Sequence, residues 1–487
     1  MTIKNSVMAL ATAAAVGTSG YAADAHAEVN FLARDFGSNV DSLLKAVAPL
    51  LFGFTPIVKS APETTDAYRL PNQGAHRQVR LARGLHVQYL TRAAADSTDM
   101  MAFFPRDNPT HLITCVESDL EEIAPGKLNP SVQRIDLASG AVQTILRGMN
   151  GCDGIRATAW GTILATEEND DGGAYEILTP LLASNQSVLD RASGQTSDSA
   201  HIAKRTALPT IAWEGIAILP SGVIIAGDEL RPGTDIPDSD GGAIFKFIPS
   251  VPFSSAVGIA SLDQSPLAAG NVYAMQVSCQ PDVQQFGQGC EVGHAAWIPV
   301  SAANARSDAN AGGATGHYRP EDLHQDPAYR NPEVPDAVRV CWTDTGNEQA
   351  FNYAEVVCAV ETSPLTALAD DRTVVVSRFI EGDRDFNSFD NLDFQPHSGN
   401  LYVIEDHPNG DIFACLRDGK DRDLKSDGCV KLLSVKDSSA EPTGFIFAPD
   451  GRTAYLSIQH SDDTNMPDLD DYATDDVLKI SGFQLHR

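Results

Sequence analysis

Three pairs of adjacent acids share one local pattern. Glu167-Glu168, Asp228-Glu229 and Glu405-Asp406 each begin six residues after a glycine, Gly161, Gly222 and Gly399, and each follows a short apolar run. Runs such as Leu-Tyr-Val-Ile before Glu405 have strand composition, and the glycine gives the backbone freedom of a tight turn. Counting back from each turn by a similar distance reaches Cys152, Glu214 and Asp390. A hairpin returns its chain to the starting end, so Cys152 should lie beside Glu167, Glu214 beside Asp228, and Asp390 beside Glu405. Carboxylates gathered in this way are metal ligands. Hard oxygen donors suit calcium, and an added thiolate argues for a transition metal such as iron.

The same construction fits Asp99 with Glu117 across Asn108-Pro109, Glu321 with Thr343 across Asn331-Pro332, and Glu441 with His460 across Asp450-Gly451. Six hairpins predict an all-β fold: a six-bladed β-propeller with an N-terminal lead-in segment and loop insertions. Blades converge on a central channel, so equivalent strand ends meet at one opening. The predicted metal ligands are Cys152, Glu167, Glu214, Glu321, Asp406, Glu405, Asp390, Asp228, Glu117 and Glu441, with Asp99, His460 and Trp213 around them. So many carboxylates repel one another unless cations bind between them. An adjacent pair such as Glu167/Glu168 is expected to contribute only one ligand. Arg319, two residues before Glu321, projects from the same face of a strand and could hold a phosphate or carboxylate in bidentate fashion. An ordinary ion pair with a buried acid is the other reading.

The elements that must position these residues are short. From about Val79 to Arg487, Val/Ile/Leu/Tyr stretches alternate with Gly, Pro, Asp and Asn clusters. The gap between Asp228 and Glu321 holds Cys279, Cys290 and the Ser301–Gly316 loop, and reads as further strands plus a surface insertion. Residues 28–78 form a lead-in that packs on the main domain, 79–487. Met1 to Ala27, with Lys4, an apolar run from Val7 to Val16 and Ala25-His26-Ala27, reads as a secretory signal. The apolar stretch Ala46 to Val58 is short and contains Pro49 and Pro56. An exported protein, periplasmic or extracellular, without stable membrane insertion is expected.

The net charge of −30, from 35 Lys and Arg against 65 Asp and Glu, argues against nucleic-acid or anionic-membrane partners. Export permits disulfides, and Cys279/Cys290, Cys341/Cys358 and Cys415/Cys429 are close enough in sequence to staple local loops. Cys115 and Cys152 remain, either as a fourth disulfide or with Cys152 as a free thiolate ligand. The acidic turns Asp235–Gly242 and Asp421–Gly428 lack EF-hand spacing, and the nucleophile elbow, Walker loop and His-Glu-x-x-His motif are absent from the sequence.

In order and spacing, these segments resemble the PhoX alkaline phosphatases, metal-dependent phosphomonoesterases on a six-bladed propeller. The resemblance runs from about Phe52 to His460. It rests on Asn150-Gly-Cys152 with Ala159-Trp-Gly-Thr162 and Thr166-Glu-Glu168; on Trp213-Glu-Gly215 with Gly227-Asp-Glu229 and Gly242–Phe247; and on Arg319-Pro-Glu321, Asp390-Asn-Leu392, Thr443-Gly444, Ala448–Gly451 and Ile458-Gln-His460. It implies a phosphatase releasing phosphate from small-molecule phosphate esters at a cluster of iron and calcium, and a monomer is expected. By the same resemblance Cys152 is the iron-binding cysteine, Glu167, Glu214, Glu321 and an acid of the Glu405-Asp406 pair are further ligands, and Arg319 holds phosphate oxygens. The chain departs from the family in lacking a twin-arginine export signal. It also has Cys115-Val116-Glu117 where the family tends to have Asn-His-Glu, and Trp213-Glu214 where it has His-Glu. A calcium-dependent lactonase or phosphodiesterase, and a non-catalytic calcium-binding propeller, are the alternatives; Cys152 with Arg319 argues against both.

Overall fold

A computed structural model describes residues 42–64, 69–233, 241–279, 291–369, 371–417 and 428–485. Short β-branched and aromatic runs closed by turn residues fold back as antiparallel hairpins along the chain. Six of them matter for the site. In order, they pair Thr98–Phe104 with His111–Val116, Cys152–Ala157 with Ile163–Glu167, Trp213–Ile218 with Ile224–Asp228, Pro320–Gln325 with Val338–Asp344, Phe389–Phe394 with Leu401–Glu405, and Glu441–Phe447 with Thr453–Gln459. They are called the first to sixth hairpins below. Gly161 and Gly222 turn the second and third at φ 87° and 92°, conformations that favour glycine.

Cys152 does face Glu167 and Glu441 comes within one position of His460, but Trp213 rather than Glu214 faces Asp228, and Phe389 rather than Asp390 faces Glu405. The cause is the same in all six. Each hairpin has a β-bulge near its end: three steps along the first strand, such as Trp213 to Ile216, oppose two along the second, Asp228 to Ala226. A bulge re-aims the side chain that follows it.

The first strands of the six hairpins lie side by side in a closed ring, first against second and so on to sixth against first. Glycine permits this approach. A Cβ on Gly154 would lie 1.9 Å from the Glu214 carbonyl, and one on Gly215 would lie 1.9 Å from the Leu323 amide nitrogen. Further strands extend each hairpin outward in a propeller-like, all-β arrangement. Sheet pairing does not divide into six, because the third and fourth hairpins belong to one continuous nine-stranded sheet through Ile244–Pro249, Gly270–Ser278, Gly293–Val300, Val374–Glu381 and Glu355–Glu361. Three of those strands fill the predicted gap, whose insertion forms a short helix, Ala305–Gly312. The sixth hairpin's sheet is completed by Thr474–Ser481 and then by His86–Ala95, so a strand from early in the chain joins the last sheet and closes the ring.

Apolar side chains fill the spaces between sheets. Helical residues 42–51 and the segment after them send Leu44, Leu51, Phe52 and Phe54 into the cluster around Tyr402, Phe445 and Phe447. No helix among the described residues is long and apolar enough to cross a membrane. The signal segment, most of both acidic turns, and Cys290 lie outside the described residues. Disulfides join Cys341 to Cys358 and Cys415 to Cys429, each pair directly opposed on neighbouring strands.

Cys115 is bonded to Cys152, which corrects the reading of Cys152 as a free thiolate iron ligand. Cys115, on the second strand of the first hairpin, lies 5.1 Å in Cα separation from Cys152, and both are buried in an apolar cluster with Ile113, Met149 and Ile155. Strand alternation explains the placement: Cys152 points into the core, and its neighbour Asp153 reaches the rim.

Candidate metal centre

The repeated bulge puts one acid at the same place in five hairpins. The residues that enter the bulge, directly after the last regular pair, are Asp99, Asp153, Glu214, Glu321 and Asp390, and in the sixth hairpin the place falls to Gly444. A second ring comes from the residue that follows each second strand: Glu117, Glu168, Glu229, Thr345, Asp406 and His460. Together with Glu441 and Arg319 they surround a cavity of about 170 Å³ that both rings line, Glu229 and Thr345 standing at its edge. Sequence reasoning placed Asp99, Glu117, Glu214, Glu321, Asp390, Asp406, Glu441, His460 and Arg319 here, and the structure brings them together.

The acids that end the second strands of the second, third and fifth hairpins form a third tier outside the cavity lining, and all three are predicted ligands. Glu167 accepts from the Asn150 and Gly173 amides at 3.0 and 3.1 Å and from Arg191 at 2.7 Å. Asp228 takes the Ala212 amide at 3.0 Å and Arg306 at 2.6 Å. Glu405 takes the Asn387 and Asp411 amides at 3.2 and 3.1 Å, with His407 3.5 Å away. These acids tie strand entries to strand exits, and their oxygens are already used. This corrects their assignment as ligands: in each adjacent pair it is the second acid, Glu168, Glu229 or Asp406, that turns to the rim. Trp213 is likewise placed in the core, packed with Trp160, Ile216 and Phe245. Asp153, Glu168 and Glu229 were missed. The acid pairs themselves were the signal for the last two, but period-two alternation without the bulge selects the wrong member.

The rim is electrostatically incomplete. Oxygens of Glu214, Glu229 and Glu321 lie within 4.8 Å of one another. Neither Glu214 oxygen has a hydrogen-bond partner among the described residues, nor does Asp153 Oδ1. Burial first, and then mutual repulsion, holds Asp99, Asp153, Glu168, Glu214 and Asp390 well above the usual carboxylate range. Burial likewise pushes Glu321 and Glu441 up to about 8. Asp99 receives the Thr443 hydroxyl at 2.5 Å, Glu117 the Gln459 amide at 2.7 Å, and Glu321 the Thr345 hydroxyl. Arg319, with φ 66°, meets Glu321 at 2.6 Å and also contacts Glu229 and Asp406. It is the one guanidinium lining the cavity among the described residues. Buried carboxylate oxygens without donors are what hard cations bind, so the residues fit a metal cluster.

A family model described as "Alkaline phosphatase PhoX" matches residues 199–462, more than half of the chain. Among solved structures, PhoX from Pseudomonas fluorescens in complex with vanadate, a transition-state analogue, superposes with a TM-score of 0.59 at 15% identity, covering 88% of this chain and 98% of that one. An aldose sugar dehydrogenase from Streptomyces coelicolor in its PQQ-bound form gives 0.40 at 11% identity over 82% and 98% of the two chains. A gluconolactonase from Xanthomonas campestris gives 0.37 at 11% over 88% and 96%. No curated protein matches the chain. With more than half its length matched by the family model, the chain belongs to the PhoX alkaline phosphatase family.

Proposed function

We propose that this protein is an exported, metal-dependent phosphatase that releases inorganic phosphate from phosphate monoesters. The observation that carries the reading is the double ring of acids, with donor-free oxygens at Glu214 and Asp153, set around Arg319 in a chain of this family. Counting one blade per inner hairpin gives a six-bladed propeller over residues 79–487, with 28–78 as the lead-in and 1–27 as the signal. The disulfides accord with an oxidising compartment.

Glu214, Glu229 and Glu321 would hold one cation, with Asp153, Glu168, Asp390 and Asp406 available to its neighbours. Bound cations supply Lewis-acid polarisation of the phosphoryl oxygens and neutralise the developing charge. The donor set, carboxylates with His460 the one imidazole at the cavity among the described residues, favours calcium. Any iron in the cluster would be held by carboxylates and His460, since Cys152 is bonded to Cys115.

Arg319 stands against the same acids. Once cations balance those carboxylates, its guanidinium can exchange one of them for a phosphate oxygen and orient the ester. The acidic rim by itself would repel an anionic substrate. Cation binding and substrate binding are therefore coupled.

The test is metal analysis of the purified protein together with p-nitrophenyl phosphate hydrolysis before and after chelation. Calcium at more than one ion per chain, with phosphate release lost on chelation and restored by calcium, is expected. A metal-replete protein without turnover would remove the phosphatase reading and leave a cation-binding propeller.

A further inference from the structure

Lys45, from helical residues 42–51, and residues 57–60 form one wall of a second cavity, of about 530 Å³. The outer strands of the fifth hairpin's sheet, Asp411–Cys415 and Cys429–Val435, form the opposite wall, and residues 383–387 border it. The first wall is seated by the Ile57 amide, which donates to the Lys431 carbonyl at 3.0 Å, and by the Ala61 amide, which donates to the Ser434 hydroxyl at 2.7 Å. This lining shares no residue with the rim cavity.

Its polar groups are unevenly satisfied. Asp411 is buried, and its Oδ2 accepts from the Ser60 hydroxyl at 2.6 Å and pairs with Lys431. Its Oδ1 has no hydrogen-bond partner among the described residues. Phe386 and Phe413, with ring centroids 4.2 Å apart, line the same cavity. So do Lys45, Lys59 and Arg384, and these three form no ion pair among the described residues. Asp383 and Asp385 flank Arg384 without pairing to it, and Asp383 accepts from the Asp385 amide at 2.7 Å instead. In a chain with 65 acids and 35 bases, three unmatched bases around one opening are charge left for a ligand to meet.

We propose that this cavity binds a sugar phosphate, at a site separate from the metal centre. Asp411 already has Lys431 as its counter-charge, so its unused oxygen suits a neutral donor, a sugar hydroxyl, rather than a second cation. The two phenyl rings offer the carbon skeleton an apolar surface, and few polar groups on an aromatic lining are the usual make-up of a small-molecule site. Three unpaired bases suit a doubly charged phosphate better than a single carboxylate, and the Arg384 fork can take two of its oxygens. Lys45 and Lys59 come from the segment that precedes the ring, whereas Arg384 and Asp411 lie on either side of the fifth hairpin. The ligand thus ties that segment to the ring.

The test uses the full chain with its metals in place and titrates it, by isothermal calorimetry, with ribose phosphate in which carbon replaces the bridging oxygen, so that no ester is cleaved. Inorganic phosphate and ribose are titrated separately, and wild type is compared with Lys59→Ala and Arg384→Ala. Binding at the metal centre is common to all three proteins and cancels in the comparison. Wild type should show a site for the analogue that each variant weakens at least about tenfold, and that phosphate or ribose alone fills at least about tenfold less tightly. A crystal of the complex should show the analogue between Asp411 and Lys59. Equal binding in all three proteins, or the analogue at the metal centre only, would overturn the site. Phosphate alone held here as tightly as the analogue would overturn the sugar. No step reads turnover, so the result stands apart from the phosphatase assay.

Discussion

Glu321 and Asp322 are neighbours on one inner strand, and burial acts on both in the same direction, yet they end far apart: Glu321 is pushed up to about 8, whereas Asp322 is pulled down to about 2. Around Asp322, His324 and Arg156 outweigh the cost of burial. Arg156 reaches it from the second hairpin at 2.7 Å, His324 at 3.2 Å, and the Leu323 and Leu392 amides complete its oxygens. Asp322 therefore has its cations within the chain and needs none from outside. At the rim, among the described residues, Arg319 and His460 serve many acids. What separates structural charge from functional charge here is the supply of partners within the chain, not depth of burial.

The largest expected break in that contrast comes from the rim. Glu214→Gln should lower metal affinity by more than about 100-fold, and phosphate release at least as much, while the protein still folds. Isothermal titration with Ca²⁺ and the hydrolysis assay check it; a variant that binds calcium like wild type would show that Glu214 is not a ligand. Below the rim the effect should be reversed. Arg156→Ala leaves Asp322 with His324 as its remaining cationic partner and should cost about 3 kcal/mol of stability, read by urea unfolding, with calcium content unchanged.

Acidity sharpens the same contrast. In metal-free protein, Glu321 and Glu441 keep protons up to about 8, while the unfolded chain releases them near 4.5. The folded state then holds more protons, so stability falls as pH rises from about 4.5 to 8. Asp322 has the opposite sign: its contribution is present above 3.8 and is lost as pH falls through about 2. Urea midpoints of stripped and calcium-loaded protein between pH 5 and 9 should diverge as pH rises, the stripped form weakening. Parallel curves would mean that the rim acids are balanced without cations.

Much of this was legible in the sequence because the hairpin is a local object. Gly161, Gly222 and Gly399 mark turns, and the equal spacing to Glu167, Asp228 and Glu405 exposes a repeat that no single segment reveals. The partner strands and the closed ring follow from that repetition. The bulge does not, since one extra residue leaves no mark in composition, and it displaced the assignments from Glu168 to Glu167 and from Glu229 to Asp228. Asp153 was hidden behind its neighbour: Cys152 was read either as a sulfur donor or as the partner of Cys115, and the position of Cys115 across two sheets shows the disulfide. Arg191 and Arg306 were also unreadable, because each comes from an insertion whose path depends on tertiary packing.

The finest test of the two kinds of acid lies within one adjacent pair. Glu167 and Glu168 share a strand end, but Glu167 is completely buried with both oxygens bonded, and Glu168 lines the cavity. Glu167→Gln turns one accepting oxygen into a donor, so either the Asn150 or the Gly173 amide loses its acceptor and Arg191 keeps only the exposed Asp171 as an ionic partner; it should cost about 2–3 kcal/mol and leave calcium binding near wild type. Glu168→Gln removes one of several repelling carboxylates. It should stabilise the metal-free protein slightly while weakening calcium binding about tenfold. Opposite signs in stability within one pair are the signature of a rim that waits for external charge beside a tier that does not. If both substitutions destabilise the stripped protein equally, the second acid is structural too, and the inner ring of bulge acids alone holds the ions.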